Sequence, residues 1–228
     1  MDEFNLLNEY PQLDKPRFVS KNKRTIDHRI VSSQRDKDFF DGDRNYGYGG
    51  FKYDGRWKDI AKKVIDRYKL DNTSKILQIN CEMGFFLHDI KKILPNLEVY
   101  GIETSSYAYQ NFYDEDIKSN VSLVDNYCKL NYENYYFDFI LCIGAVYTLN
   151  LTDIIKILKE IVRVGKNKSF INLASYETHN DYWLMKEWSL LGTTILKKDD
   201  WKKILKYVNY KSDFSFTNAN SLNIKRSK

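Results

Sequence analysis

Little in this sequence of 228 residues suits a membrane, a disulfide scaffold or a metal centre. No stretch approaches the roughly 18 apolar residues of a membrane span. The three cysteines, Cys81, Cys128 and Cys142, are an odd count. Each falls in or beside an apolar run, as buried thiols in a reducing compartment do. Cysteine and the three histidines show no metal-ligand spacing. The opening MDEFNLLNEYPQLDKP is acidic and polar and lacks the apolar core of a signal peptide, so a cytoplasmic protein is expected. An excess of one charge is also missing, with 36 basic against 31 acidic residues and a net charge of +5. Only residues 197–228 are biased, with nine Lys/Arg against three Asp, and they read as a solvated helix and a basic tail. Nucleic-acid binders concentrate basic charge on one face. Neither nucleic acid nor a membrane is therefore expected as a partner. No internal repeat is present, and the oligomeric state is not legible.

What is there fits one α/β domain: 43% of the residues are hydrophobic, enough for a sizeable core. Residues 1–35 are polar with weak periodicity and read as an arm. Residues 36–57, DKDFFDGDRNYGYGGFKYDGRW, hold five of the ten glycines and seven aromatics and read as a lid or acceptor loop. From 58 to 218 the pattern alternates. Helices are expected at 58–69, 85–94, 107–113, 154–164, 182–191 and 200–208, the last entered through an Asp-Asp N-cap. Strands are expected at 76–79, 97–102, 121–124, 137–143, 170–174 and 214–217. Such alternation predicts a doubly wound, mostly parallel sheet with helices on both faces. Residues 219–228 form the basic tail.

In such sheets ligands bind beyond the carboxyl ends of the strands. The stretch KILQINCEMGFFLHDI, residues 75–90, reads as strand, tight turn and helix start at that place. A dinucleotide loop wants three glycines there, and this turn keeps only Gly84. Glu82 would repel a pyrophosphate, which points away from NAD and toward a cationic cofactor. Glu103 ends the next strand, 19 residues past Gly84, near the spacing at which an acid meets ribose hydroxyls. A solvated or helix-capping glutamate is the plainer reading of the same residue.

These stretches resemble the class I S-adenosyl-L-methionine (SAM)-dependent methyltransferases. KILQINCEMGFFLHDI looks like their first motif, LEVYGIETSSYA like their second-strand motif and YFDFILCIGAVYTL like their fourth strand. GDRNYGYGGFKYDGRW and EIVRVGKNKSFINLASY resemble segments of small bacterial methyltransferases associated with sugar and surface-polysaccharide biosynthesis. The resemblance implies SAM as cofactor and a single Rossmann-like domain whose mostly parallel sheet has seven strands, one of them antiparallel near the C-terminus. It implies Gln78, Asn80, Cys81, Gly84, Glu103, Asn126, Tyr127 and Ile143 as cofactor-binding residues. Gln78 stands where an acid is usual, and Asn80 and Glu82 stand where glycines are usual.

Methyl transfer needs alignment and, for a hydroxyl acceptor, somewhere for the proton to go. His179, after strand five, is a candidate base or an idle loop histidine. Tyr147, past strand four, is a candidate hydrogen-bonding group or a buried aromatic. Tyr48 and Tyr53 offer stacking faces to an acceptor, as does Tyr176 at the end of strand five. Arg44 and Arg56 offer a bidentate fork for a phosphate, or ion pairs that hold the loop. The expected activity is methyl transfer to a hydroxyl of a sugar, sugar nucleotide or phosphorylated metabolite in surface-polysaccharide biosynthesis. The alternative is an inactive methyltransferase-like scaffold. A nucleic-acid amino-methyltransferase is disfavoured because Cys142-Ile-Gly-Ala-Val lacks the prolines usual after strand four.

Overall fold

Continuous apolar runs become the strands of one sheet, and helices cover both of its faces. The computed structural model describes residues 1–9, 15–20 and 22–227. Positions 10–14 and 21 of the expected arm and 228 of the expected tail lie outside the described residues. In chain order the elements are β1 (Arg17–Val19), α1 (Ile26–Ser33), α2 (Lys37–Asp41), α3 (Lys58–Tyr68), β2 (Lys75–Ile79), α4 (Phe85–Ile93), β3 (Glu98–Glu103), α5 (Ser106–Gln110), α6 (Glu115–Lys118), β4 (Val121–Leu123), β5 (Phe139–Cys142), α7 (Leu151–Val164), β6 (Ser169–Tyr176), α8 (His179–Trp188), β7 (Leu196–Lys197), α9 (Lys198–Tyr207), β8 (Asp213–Thr217) and β9 (Ile224–Arg226).

The main sheet runs β4-β3-β2-β5-β6-β7, and β8 also pairs with β6. Alternate residues of each strand face opposite ways, so each run feeds two cores. Ile76, Val99, Phe139, Leu141 and Phe170 pack with α3 and α4. Leu77, Ile79, Ile140, Cys142 and Ile171 pack with α7 and α9 on the other face. Among the described residues no helix is long and apolar enough to cross a membrane.

The antiparallel strand expected near the C-terminus is not found. Its residues form β8, which lies parallel to β6 in the register Ile171↔Phe214. The connection explains this: α9 crosses over between β6 and β8, and a strand–helix–strand crossover returns the chain in the same direction. The outer edge of β8 is covered by the chain's start, where Phe4 N–H donates to the Phe214 carbonyl at 2.8 Å. Two helix starts also differ from expectation. α8 begins at His179, capped by the Thr178 hydroxyl, which accepts from Asp181 N–H. α9 begins at Lys198, so Asp199 and Asp200 lie in its first turn, where they complement the helix dipole, and Lys197 holds the N-cap position.

The two ends of the chain meet. β1 and β9 form a second, two-stranded parallel sheet, with Arg17 opposite Ile224. Val19 and Ile224 pack with Leu184 and Met185 of α8. This places the arm beside the carboxyl end of β6, where it forms a wall of the site.

Candidate cofactor and acceptor site

The turn after β2 answers the loss of two glycines directly. Asn80, Glu82 and Gly84 all adopt left-handed backbone, at φ 61°, 52° and 77°. Asparagine tolerates that region, but glutamate there costs about 1–2 kcal/mol. The turn is held by bonds that offset the strain. Asn80 and Cys81 N–H both donate to the Ile102 carbonyl. Asn80 Nδ2 donates to the Ile143 carbonyl at 3.1 Å, which ties the turn to the exit of β5. Glu82 N–H donates to Glu103 Oε2 at 2.7 Å, and the Tyr48 hydroxyl donates to Glu82 Oε1 at 2.5 Å. Gly84 serves packing as well as conformation, because a Cβ there would overlap the ring of buried Phe112.

Glu103 is fully buried. Its carboxylate accepts from the N–H groups of Glu82, Thr104 and Ser105 at 2.7, 2.8 and 2.8 Å. Arg35 Nη2 lies 3.0 Å from Glu103 Oε1. Three of these contacts fall on Oε1 and one on Oε2, and the Arg35 contact is an ion pair without a hydrogen bond, so Arg35 is the partner that a ribose would displace most readily. Arg35 Nη1 also donates to Asn80 Oδ1, which accepts in addition from the Tyr127 hydroxyl at 3.1 Å. Burial works against the Arg35 cation. Glu103 and then Tyr127, Glu82 and Tyr48 outweigh that cost and hold its pKa above the ordinary value.

A cavity of about 450 Å³ opens beyond the carboxyl ends of β2, β5, β6 and β8. From the predicted site it is lined by Gln78, Asn80, Ile143, Tyr147, Arg44 and Tyr48. Arg17, Arg24 and Arg35 from the arm reach it, with Trp188 at the end of α8. Opposite them Asn172 Nδ2 donates to Ser215 Oγ and Thr217 Oγ1 at 3.1 and 2.9 Å, a polar patch on the β6–β8 floor. Glu82 is the one acid among the described lining residues. Burial raises its pKa to about 7; Arg35 and Tyr48 pull it down, and Glu103 adds to the rise. Burial, with the Glu82 charge in support, raises the Tyr147 pKa to about 12.

Other predicted residues fall elsewhere. His179 is exposed in the first turn of α8 and does not line the cavity, because the helix starts earlier than its polar sequence suggests. Asn126 is exposed, and its Oδ1 caps the Cys128 N–H, leaving buried Tyr127 beneath as the side chain that meets Asn80. Tyr53 donates to Asp89 Oδ1 at 2.5 Å and stacks on Tyr113. Arg56 Nε closes onto both oxygens of Asp54 at 2.9 and 2.8 Å. Tyr176 packs edge-on against Tyr182. Cys81 is buried under the turn, with its thiol pKa pushed well up by burial. Arg35, Arg17, Arg24 and Trp188 carried no sequence signal, since nothing local in a polar arm says where it docks.

A model of the methyltransferase-domain family matches residues 77–172, from β2 to β6. No curated protein matches the chain in sequence. Solved structures share its fold. The complex between the Haloferax volcanii Trm112 methyltransferase activator and a methyltransferase contains a chain 18% identical, with TM-score 0.50, over 68% of this chain and 72% of that one. The YcgJ protein of Bacillus subtilis is 16% identical, with TM-score 0.53, over 65% of this chain and 66% of its own. The [4+2]-cyclase SpnF is 16% identical, with TM-score 0.53, over 84% of this chain and 74% of its own. Residues 77–172 thus match a methyltransferase domain, and S-adenosyl-L-methionine is the cofactor that such a domain implies.

Proposed function

We propose that the protein methylates a hydroxyl of a small polar acceptor, a sugar, sugar nucleotide or phosphorylated metabolite of the kind used in surface-polysaccharide biosynthesis. The observation that carries this reading is the single cavity that joins the turn residues Gln78, Asn80 and Glu82 to Tyr147 and the Asn172–Ser215–Thr217 patch. The turn suits the cofactor. Gln78 Oε1 is buried without a partner, a free acceptor for an ammonium group. Glu103 presents a carboxylate for ribose hydroxyls once Arg35 yields. Ile143 and Tyr127 supply apolar and aromatic surface nearby.

The cofactor supplies an electrophilic methyl on a cationic sulfur. That methyl would pass to the acceptor hydroxyl, whose proton must then be taken up by a group of this chain. Glu82 is the group that can take it. Beside a cation its carboxylate is held ionised. When that positive charge is lost, its proton affinity returns toward about 7. Tyr147 stays neutral at physiological pH, so it orients the acceptor oxygen as a hydrogen-bonding group and does not act as a base. An inactive scaffold is the second reading, favoured by one observation, the seat of Arg35 on Glu103.

The test has two parts. Calorimetric titration with S-adenosylhomocysteine, with NAD as control, should give micromolar or tighter binding for the first alone. Labelled SAM with a panel of nucleotide-linked sugars should then give methylated product. A folded protein that binds neither ligand would move the assignment to the scaffold.

A further inference from the structure

Three arginines from separate parts of the chain converge on the cavity. Arg17 comes from β1, Arg24 from the turn before α1 and Arg44 from the loop after α2, and all three line it. Among the described residues, no carboxylate lies within ion-pair distance of any of them. Nearby acids are committed elsewhere: Glu187 pairs with Arg226 at 2.8 Å, and Asp181 accepts from the N–H groups of Glu177 and Ala219. Each arginine has five N–H donors. Arg17 spends one on the Leu222 carbonyl at 2.6 Å, and Arg44 spends one on the Gly47 carbonyl. The Arg24 guanidinium makes no hydrogen bond to any described residue; it lies 4.0 Å from the centre of the Trp188 ring, a flat backing that fixes its plane.

Like charges gathered without counter-charge cost free energy unless something else neutralises them. The cost is visible at Arg24, whose pKa falls to about 10 through burial and then through Arg44, Arg29 and Arg17. Arg29 is turned away, donating to the Lys186 carbonyl at 2.6 Å. The remaining forks are planar and rigid, and their free donors suit the oxygens of a phosphate better than a single carboxylate would.

We propose that Arg17, Arg24 and Arg44 anchor a phosphate or diphosphate group carried by the methyl acceptor. This deepens the methyltransferase reading and rests on it for the word acceptor. The anchor lines the same cavity as Gln78, Glu82 and Tyr147, so it would fix the charged group of a substrate whose hydroxyl Tyr147 holds. The chemistry selects a nucleoside-diphosphate-linked sugar or a sugar phosphate over a free sugar.

The experiment is calorimetric titration of the full chain with inorganic phosphate, inorganic pyrophosphate, UDP-glucose and glucose, each at two salt concentrations. Phosphate and pyrophosphate separate a single-phosphate site from a diphosphate site. The expected result is binding of the phosphorylated ligands, weaker at high salt, and none of glucose. Arg24→Gln should weaken that binding by about ten- to a hundredfold, the loss of one charge-assisted contact. Arg44→Gln, in an exposed loop, provides a second variant with the same expectation. Affinity for S-adenosylhomocysteine should stay unchanged in both variants. A folded protein that binds S-adenosylhomocysteine but no phosphorylated ligand would overturn the anchor, as would binding that survives both substitutions. Binding of pyrophosphate without S-adenosylhomocysteine would leave the anchor standing and defeat the methyltransferase reading instead.

Discussion

Glu82→Gln removes the acid that faces the cavity, and pH is the way to read its effect. In the free protein burial raises the Glu82 pKa to about 7 from an ordinary 4.5, a gap on the order of 3 kcal/mol. The folded protein therefore holds a proton there that the unfolded chain has released between pH 4.5 and 7. That stabilisation is complete below 4.5 and is lost as pH rises through 7. A cation beside the carboxylate favours the ionised form and reverses the balance, so binding it expels the proton. Affinity for SAM should then rise with pH, by about tenfold for each pH unit of pKa that the cation restores and by about 300-fold at full restoration. S-adenosylhomocysteine lacks the sulfur charge and should not share this slope.

The assay is the ratio of the two affinities between pH 5.5 and 8, since ionisations common to both ligands cancel in the ratio. We expect the ratio to rise at least tenfold in the native protein and to stay flat in Glu82→Gln. Calorimetry in buffers of different ionisation enthalpy should also register a released proton near pH 6.5 for SAM alone. A ratio that does not move with pH, or one that still climbs in the glutamine variant, would refute the coupling of Glu82 to the cofactor's charge and its role as proton acceptor.

Gly84→Ala should lower stability by about 2–5 kcal/mol in urea unfolding, from a left-handed backbone and overlap with Phe112. Adding Phe112→Leu should recover part of that loss, and simple additivity of the two changes would disprove the steric account. Arg35→Ala should cost about 3 kcal/mol of stability without ligand, yet bind S-adenosylhomocysteine more tightly, because Glu103 loses its competitor. Weaker binding would mean that Arg35 holds the cofactor and does not exclude it. Tyr147→Phe should reduce kcat by about a hundredfold with S-adenosylhomocysteine affinity unchanged; an equal loss in both would place Tyr147 among the cofactor contacts.

The strands that carry the site were legible because they are buried on both faces, so Phe139–Cys142 reads as an unbroken apolar run and Ile76–Ile79 as one broken only by Gln78. The turn was legible by its position between them and by Gly84. Its conformation was not, because nothing in glutamate's own preferences asks for φ near 52°. Glu82 is held there by bonds from residues distant in sequence, Tyr48 at the side chain and Glu103 at the N–H. His179 drew attention by its chemistry and its place after strand five, and Thr178 took it outward by capping the helix one residue earlier.

The charged wall of the cavity shows the same limit on a larger scale. Arg56 and Arg44 both lie in the glycine-rich segment with aspartates close by, and looked equivalent as phosphate ligands. Asp54 closes on Arg56, whereas Asp43 accepts from the Asn45 N–H and Asp41 from the Phe51 N–H and the Tyr107 hydroxyl, which leaves Arg44 to the cavity. Local spacing does not show that difference, because the partners that occupy Asp41 are distant in sequence. Arg17 and Arg24 are different, because their position depends on β1 finding β9 more than 200 residues later. No periodicity within the arm encodes that pairing, since each strand is three residues long and is stabilised by the packing of Val19 and Ile224 on α8. The arm and the tail are thus part of the site: removing residues 224–226 should unseat Arg17 and weaken phosphate binding even though none of those three residues lines the cavity.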